Sequence, residues 1–207
     1  MNPIMSLLNI ACGNPLSEAD DGRARRLQLV IAALMLSLVF ASVWGVAIAT
    51  RQPALIPWNA LKLPMIILLS ALFAAPAGLL TWKLSGAQCR ASDLMLGFTS
   101  GIFSGTIVLA VLSPVVALYY ASSVWAGPVL VQAAIGLGLV TGCIVFVRGV
   151  LTRMRGARRS AVLSIVVFNV MQIATLLQLV ALASPLLPER TTFDQGIDHV
   201  TAPMEAR

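Results

Sequence analysis

Five stretches of this chain are free of Asp, Glu, Lys, Arg and His and each is close to a membrane's width: Leu27 to Ala49, Leu63 to Trp82, Leu94 to Ala121, Val124 to Val147 and Ala161 to Ser184. A hydrocarbon core of roughly 30 Å is crossed by about 20 apolar residues in helical form. Only helices or closed barrels satisfy their backbone groups in lipid, and the runs show none of the two-residue alternation a barrel strand requires. The chain therefore reads as an all-α integral membrane protein with five transmembrane helices. Charged residues make up 11% of the 207, against about 25% in a soluble domain. The runs take 119 residues, so the 88 that remain leave no room for a soluble catalytic domain beside them. Three parts follow: an N-terminal segment over 1–26, a five-span helical domain over 27–187 and a tail over 188–207.

The basic residues orient these spans. Three Lys or Arg precede the first span, the successive loops carry two, two, none and five, and the tail carries two. Alternate segments thus hold ten against four, and the rule that basic residues beside spans stay in the cytoplasm puts the ten there. This predicts a cytoplasmic N-terminus and a C-terminus outside. The loop with Arg148, Arg153, Arg155, Arg158 and Arg159 weighs most. The scheme needs a tight hairpin at Ser122 and Ser123, between the third and fourth runs. A cleaved signal peptide is the other reading of the first run. Its apolar stretch exceeds the 7 to 15 residues of a signal core and follows a long polar-headed segment, so a retained anchor is expected.

Ahead of Arg23, Ile4, Leu7, Leu8 and Ala11 recur at helical spacing. That stretch could lie as a helix in the interface plane or form a loosely ordered N-terminus. Between the first two spans, Pro53, Pro57, Trp58 and Asn59 break helix and place an aromatic at headgroup depth.

Within the spans the chemistry is sparse. Lys62 and Asp93 stand at span edges, where a side chain reaches the interface, and no Asp, Glu, Lys, Arg or His lies deeper. Proton relays, voltage sensors and most charged-substrate pathways need such groups, which argues against a pump. The third span carries Gly97, Gly101 and Gly105 and the fourth Ala134, Gly138 and Gly142, each set at four-residue spacing, so each helix has one nearly bare face. Two such faces in one chain suit close packing of the third span on the fourth, and a contact between copies would use the same ridge. Pro64, Pro76 and Pro114 predict kinks. The last span carries Asn169, Gln172, Thr175 and Gln178, each three residues after the one before. Asn169, Gln172 and Gln178 would hydrogen-bond across helices or line a polar groove.

Catalytic and metal chemistry finds no residues to carry it. The single histidine, His199, falls in the tail, where Asp194 and Asp198 make a solvated segment the simpler reading than a metal site. A zinc protease motif needs two histidines, and Gly101 to Gly105 has the wrong spacing for an intramembrane serine protease turn. Cys12, Cys89 and Cys143 are dispersed and form no C-x-x-C pair. No catalytic residue, cofactor site or metal site is expected. The net charge of +6 sits beside spans, where orientation and anionic headgroups account for it, and no aromatics interleave for stacking on bases, so nucleic acid is not an expected partner.

Several motifs follow a familiar order. Ala60-Leu61-Lys62-Leu63-Pro64 with Pro76 opens the second span; Gly86 follows in a short loop. The next span ends in Ser113-Pro114-Val115-Val116 and Tyr119-Tyr120, and a glycine-bearing span closes on Arg148-Gly149. Over roughly residues 55 to 180 this resembles a group of small uncharacterised bacterial polytopic inner-membrane proteins. In that group a Gln in the last span is followed six residues on by Arg-Pro. Here Gln172 matches the first position, while Gln178 and Leu179 replace the pair, so a role tied to that arginine is not carried over. The five-span plan also resembles, more faintly, the eukaryotic Yip family, whose members act as membrane adaptors rather than enzymes. The resemblance implies topology, and adaptor work by analogy alone.

The expected function is accordingly non-enzymatic: an adaptor or membrane subunit of a larger assembly. It would present Arg148, Arg153, Arg155, Arg158 and Arg159 to a protein partner or to membrane lipids, or assemble with its own copies. A channel or transporter subunit for an uncharged or lipidic solute is the alternative.

Overall fold

A computed structural model describes residues 3–12, 14, 22–50, 53–86, 90–123, 125–153 and 158–183. It contains a short helix α1 (Pro3–Ala11) and five long ones: α2 (Arg23–Ile48), α3 (Ile56–Leu84), α4 (Ala91–Ser122), α5 (Ala126–Arg153) and α6 (Arg158–Ala183). A single 3-10 turn, Pro53–Leu55, leads into α3. All five long helices are long and apolar enough to cross a bilayer, and no strand occurs among the described residues. The chain is a multi-pass helical membrane protein.

Local chemistry sets the helix ends. Gly22, in an extended conformation, precedes α2. At its far end Thr50 donates its hydroxyl to the Ala47 carbonyl at 3.0 Å and to the Ala117 carbonyl of α4 at 3.4 Å. The helix break expected at Pro57, Trp58 and Asn59 does not occur: Pro57 falls in the first turn of α3, where a missing N–H costs nothing, and Trp58 and Asn59 continue the helix. The tight hairpin forms between α4 and α5: Ser123 ends α4, and its hydroxyl accepts the Ala126 amide at 3.1 Å, capping α5. Gly86, at φ +64°, turns the chain out of α3 in the left-handed region that glycine enters without strain.

Each helix extends beyond its apolar run. α5 continues past Val147 to Arg153, because helical hydrogen bonding persists into the interface where charge is tolerated. Pro64, Pro76 and Pro114 all lie inside continuous helices. Several buried hydroxyls are consumed within their own helix, Ser37 bonding to the Ala33 carbonyl at 2.6 Å and Ser104 to the Ser100 carbonyl at 2.8 Å. That arrangement satisfies a polar group in lipid without a partner helix.

Neighbouring spans pack in the order α6, α3, α2, α4, α5. The first and last of that series approach each other through a cluster of Phe98, Phe146 and Phe168, joined by Ala71, Ala74, Leu94, Val150 and Ile165. The ring centroids lie 4.7 to 5.7 Å apart in tilted and edge-to-face geometries that suit the ring quadrupoles. A second cluster at the same end joins α1 to α2 and α4. A third, around Trp44, Ile48, Val116, Val131 and Ala134, fills the opposite end.

Candidate functional site: the basic end of the bundle

Successive spans run antiparallel, so the start of α2, the end of α3, the start of α4, the end of α5 and the start of α6 share one end. Arg23, Lys83, Arg90 and Arg148 are exposed there. Arg26 differs from them. Its Nη1 donates to Asp93 Oδ1 at 2.7 Å and to Ser92 Oγ at 3.3 Å, and the two charged side chains are only 6% and 14% exposed. This charge-assisted bond pins α2 to the first turn of α4, where a carboxylate also meets the positive end of the helix dipole.

Asp93 is the sole carboxylate among the described residues, and Arg26 occupies it. The four exposed cations therefore form a surface with no acidic counterweight among those residues. Such a surface attracts acidic protein faces and anionic headgroups, with a reach of about 8 Å at physiological salt. Of the five basic residues expected to make contact, Arg148 is the one whose side chain is described. Arg153, Arg158 and Arg159 fall at helix ends with undescribed side chains, and Arg155 lies outside the described residues. So do Cys89, His199, Asp194 and Asp198.

Gly97, Gly101 and Gly105 of α4 face α5. A methyl group built on Gly101 would stand 2.7 Å from the Gly142 carbonyl oxygen, and one on Gly105 would stand 2.8 Å from that of Gly138. The approach is reciprocal, since the same construction on Gly142 and Gly138 meets the carbonyls of Gly101 and Gly105 at 2.9 and 3.1 Å. Ala134 is buried one turn from Gly138, in the cluster with Trp44. Gly97 instead accommodates Val150 and Phe146.

The polar residues of α6 divide. Gln172 Nε2 donates to Ser70 Oγ of α3 at 2.8 Å, while its Oε1 is buried without a partner. Asn169 returns its amide to the Ile165 carbonyl of its own helix at 2.9 Å, and Gln178 is exposed. They do not converge on one site.

Three packing features escape sequence reasoning. Gly45 of α2 lies against the backbone carbonyl of Asn59, and Gly78 of α3 receives the Phe168 ring. Neither glycine belongs to a spaced series, so no local pattern marks it. The third is the burial of Lys62 and Asn59, 7% and 2% exposed, where a span-edge position suggested access to the interface. The close approach of α2 and α3 at Gly45 covers this turn.

No known protein family, curated protein or solved structure matches the chain.

Proposed function

We propose that this protein is a non-enzymatic inner-membrane adaptor, or the membrane subunit of a larger assembly, with its basic end as the contact surface. The observation that carries this reading is the gathering of exposed Arg23, Lys83, Arg90 and Arg148 at one end while the only described carboxylate is bound to Arg26. Retention of basic residues in the cytoplasm places that end, and the N-terminus, inside. An acidic protein surface or anionic lipid would then meet several cations at once, each worth about 1 kcal/mol near a charged surface. The fainter resemblance of the five-span plan to the Yip family, whose members act as membrane adaptors, is in keeping with this role by analogy alone.

The test is a mild-detergent pull-down of the tagged protein from native membranes, wild type against a variant with Arg153, Arg155, Arg158 and Arg159 changed to Gln. Tag orientation is checked first. One stoichiometric partner, lost in the variant, is the expected result; recovery of the protein alone from both would refute the adaptor reading. A second reading, a channel or transporter subunit for an uncharged or lipidic solute, draws on one observation, the unpartnered Oε1 of Gln172 between α3 and α6. Solute flux in proteoliposomes that falls on Gln172→Leu would favour it.

A further inference from the structure

The short helix α1 is apolar on both sides. Its inner side, Ser6, Leu7 and Ile10, is 3%, 0% and 2% exposed and joins a cluster with Leu29, Ala33, Leu96 and Phe103. Its outer side carries Ile4, Met5 and Leu8, 44%, 60% and 39% exposed. Asn9 is the one polar residue beside them, and Pro3–Ala11 contains no charge. A helix resting on a water-facing surface turns a charged or polar stripe outward. This one turns three large apolar side chains outward, which water would not stabilise.

Depth can be read from the neighbours. The Arg26–Asp93 pair marks where charge meets hydrocarbon at this end. Leu29 and Ala33 follow Arg26 by three and seven residues along α2, and Leu96 and Phe103 follow Asp93 by three and ten along α4. At about 1.5 Å per residue, the cluster that receives α1 spans from about 5 to about 15 Å beyond the pair. That interval falls within one leaflet of a hydrocarbon core roughly 30 Å thick. Over the same length of α2, on the face turned away from the cluster, Leu27, Ile31 and Met35 are 60%, 52% and 60% exposed, as suits the lipid side of a membrane span.

We infer that α1 is a half-membrane helix embedded in the acyl-chain region of the leaflet at the basic end, with Ile4, Met5 and Leu8 against lipid chains. Its inner side covers a face of α4 that lipid would otherwise meet. Ser100 stands four residues after Leu96 and three before Phe103 on that face; it is fully buried, and its hydroxyl oxygen has no hydrogen-bond partner. An uncovered hydroxyl there would lie against hydrocarbon, and α1 shares with α2 the cover of this face of α4.

The experiment uses the full-length protein in proteoliposomes, permeabilised so that both aqueous sides are reached, with Cys12, Cys89 and Cys143 replaced by Ser. Single cysteines are introduced as Met5→Cys, Leu8→Cys and, for reference, Asn14→Cys, which is exposed beyond the helix. A membrane-impermeant maleimide should label positions 5 and 8 at least tenfold more slowly than position 14, with the three rates converging in denaturing detergent. A bimane attached at either site in detergent before reconstitution should then be quenched by lipids brominated along their chains. Labelling at 5 and 8 within twofold of position 14 would overturn the inference by placing the helix in water. Slow labelling without quenching would overturn it too, by showing that a second protein copy covers the face. A Leu8→Cys protein that fails to reconstitute leaves the Met5→Cys measurement to decide, because Met5 is the most exposed side chain of the three.

Discussion

Replacing Gly101 with alanine adds one methyl group, and the outcome follows from what that group meets. It would lie 2.7 Å from the Gly142 carbonyl oxygen and 3.0 Å from Phe146 Cβ, whereas ordinary contact begins near 3.4 Å. The nearest obstacle is helical backbone, which cannot rotate aside as a side chain would. Relief requires the axes of α4 and α5 to part by about 0.7 Å, and a gap of that size forfeits a quarter to a half of each dispersion contact along the seam. Overpacking of this kind costs about 1–3 kcal/mol. Gly136, on the same helix as Gly142, meets nothing within 4 Å. There alanine restricts the unfolded chain without any clash and should stabilise by up to about 1 kcal/mol. Unfolding free energies from denaturing-detergent titration of the two single variants should therefore differ in sign. Equal shifts for Gly101→Ala and Gly136→Ala, or a stabilised Gly101→Ala, would refute the argument from close backbone approach.

Three other perturbations test separate parts of the fold. Asp93→Asn leaves the Arg26 guanidinium buried without its counter-charge and should cost about 3 kcal/mol in the same titration, most of it recovered when Arg26→Met is combined with Asp93→Leu. Phe168→Ala empties the notch at Gly78 and removes two aromatic contacts, for a loss of about 3 kcal/mol; a loss below about 1 kcal/mol would mean that the α3–α6 pair is held elsewhere. Gln172→Leu gives up the bond to Ser70 but also removes the buried oxygen without a partner. The two effects should nearly cancel, leaving a change within about 1 kcal/mol in the melting of detergent-solubilised protein.

The spans were legible because lipid imposes a strict rule on composition: a charge-free run of sufficient length has few alternatives to a helix. Even the demanding hairpin at Ser122 and Ser123 could be placed from the length of the two flanking runs. The close pairing of Gly101 with Gly142 was readable for a related reason, since four-residue spacing repeats on both helices and so marks a face. Gly45 and Gly78 carry no such repeat. Their partners, Asn59 and Phe168, are 14 and 90 residues away, and only the tertiary arrangement brings them together. The Arg26–Asp93 bond was hidden similarly. Arg26 counts toward orientation in any tally of basic residues, and nothing in sequence separates it from Arg23 or Arg25, yet it alone of the three is buried. The polar residues of α6 were visible as a series, but three-residue spacing winds around a helix, and the structure accordingly sends Asn169, Gln172 and Gln178 to different surroundings.

The adaptor account rests on one face of the bundle gathering the exposed cations on the cytoplasmic side. Side-specific labelling of single cysteines in oriented membranes tests this most directly, using Lys83→Cys, Arg90→Cys and Arg148→Cys against Ser123→Cys. The account predicts that the first three react only from the cytoplasmic side and the last only from the opposite side. Labelling of any of the three from the side that reaches Ser123→Cys would contradict it.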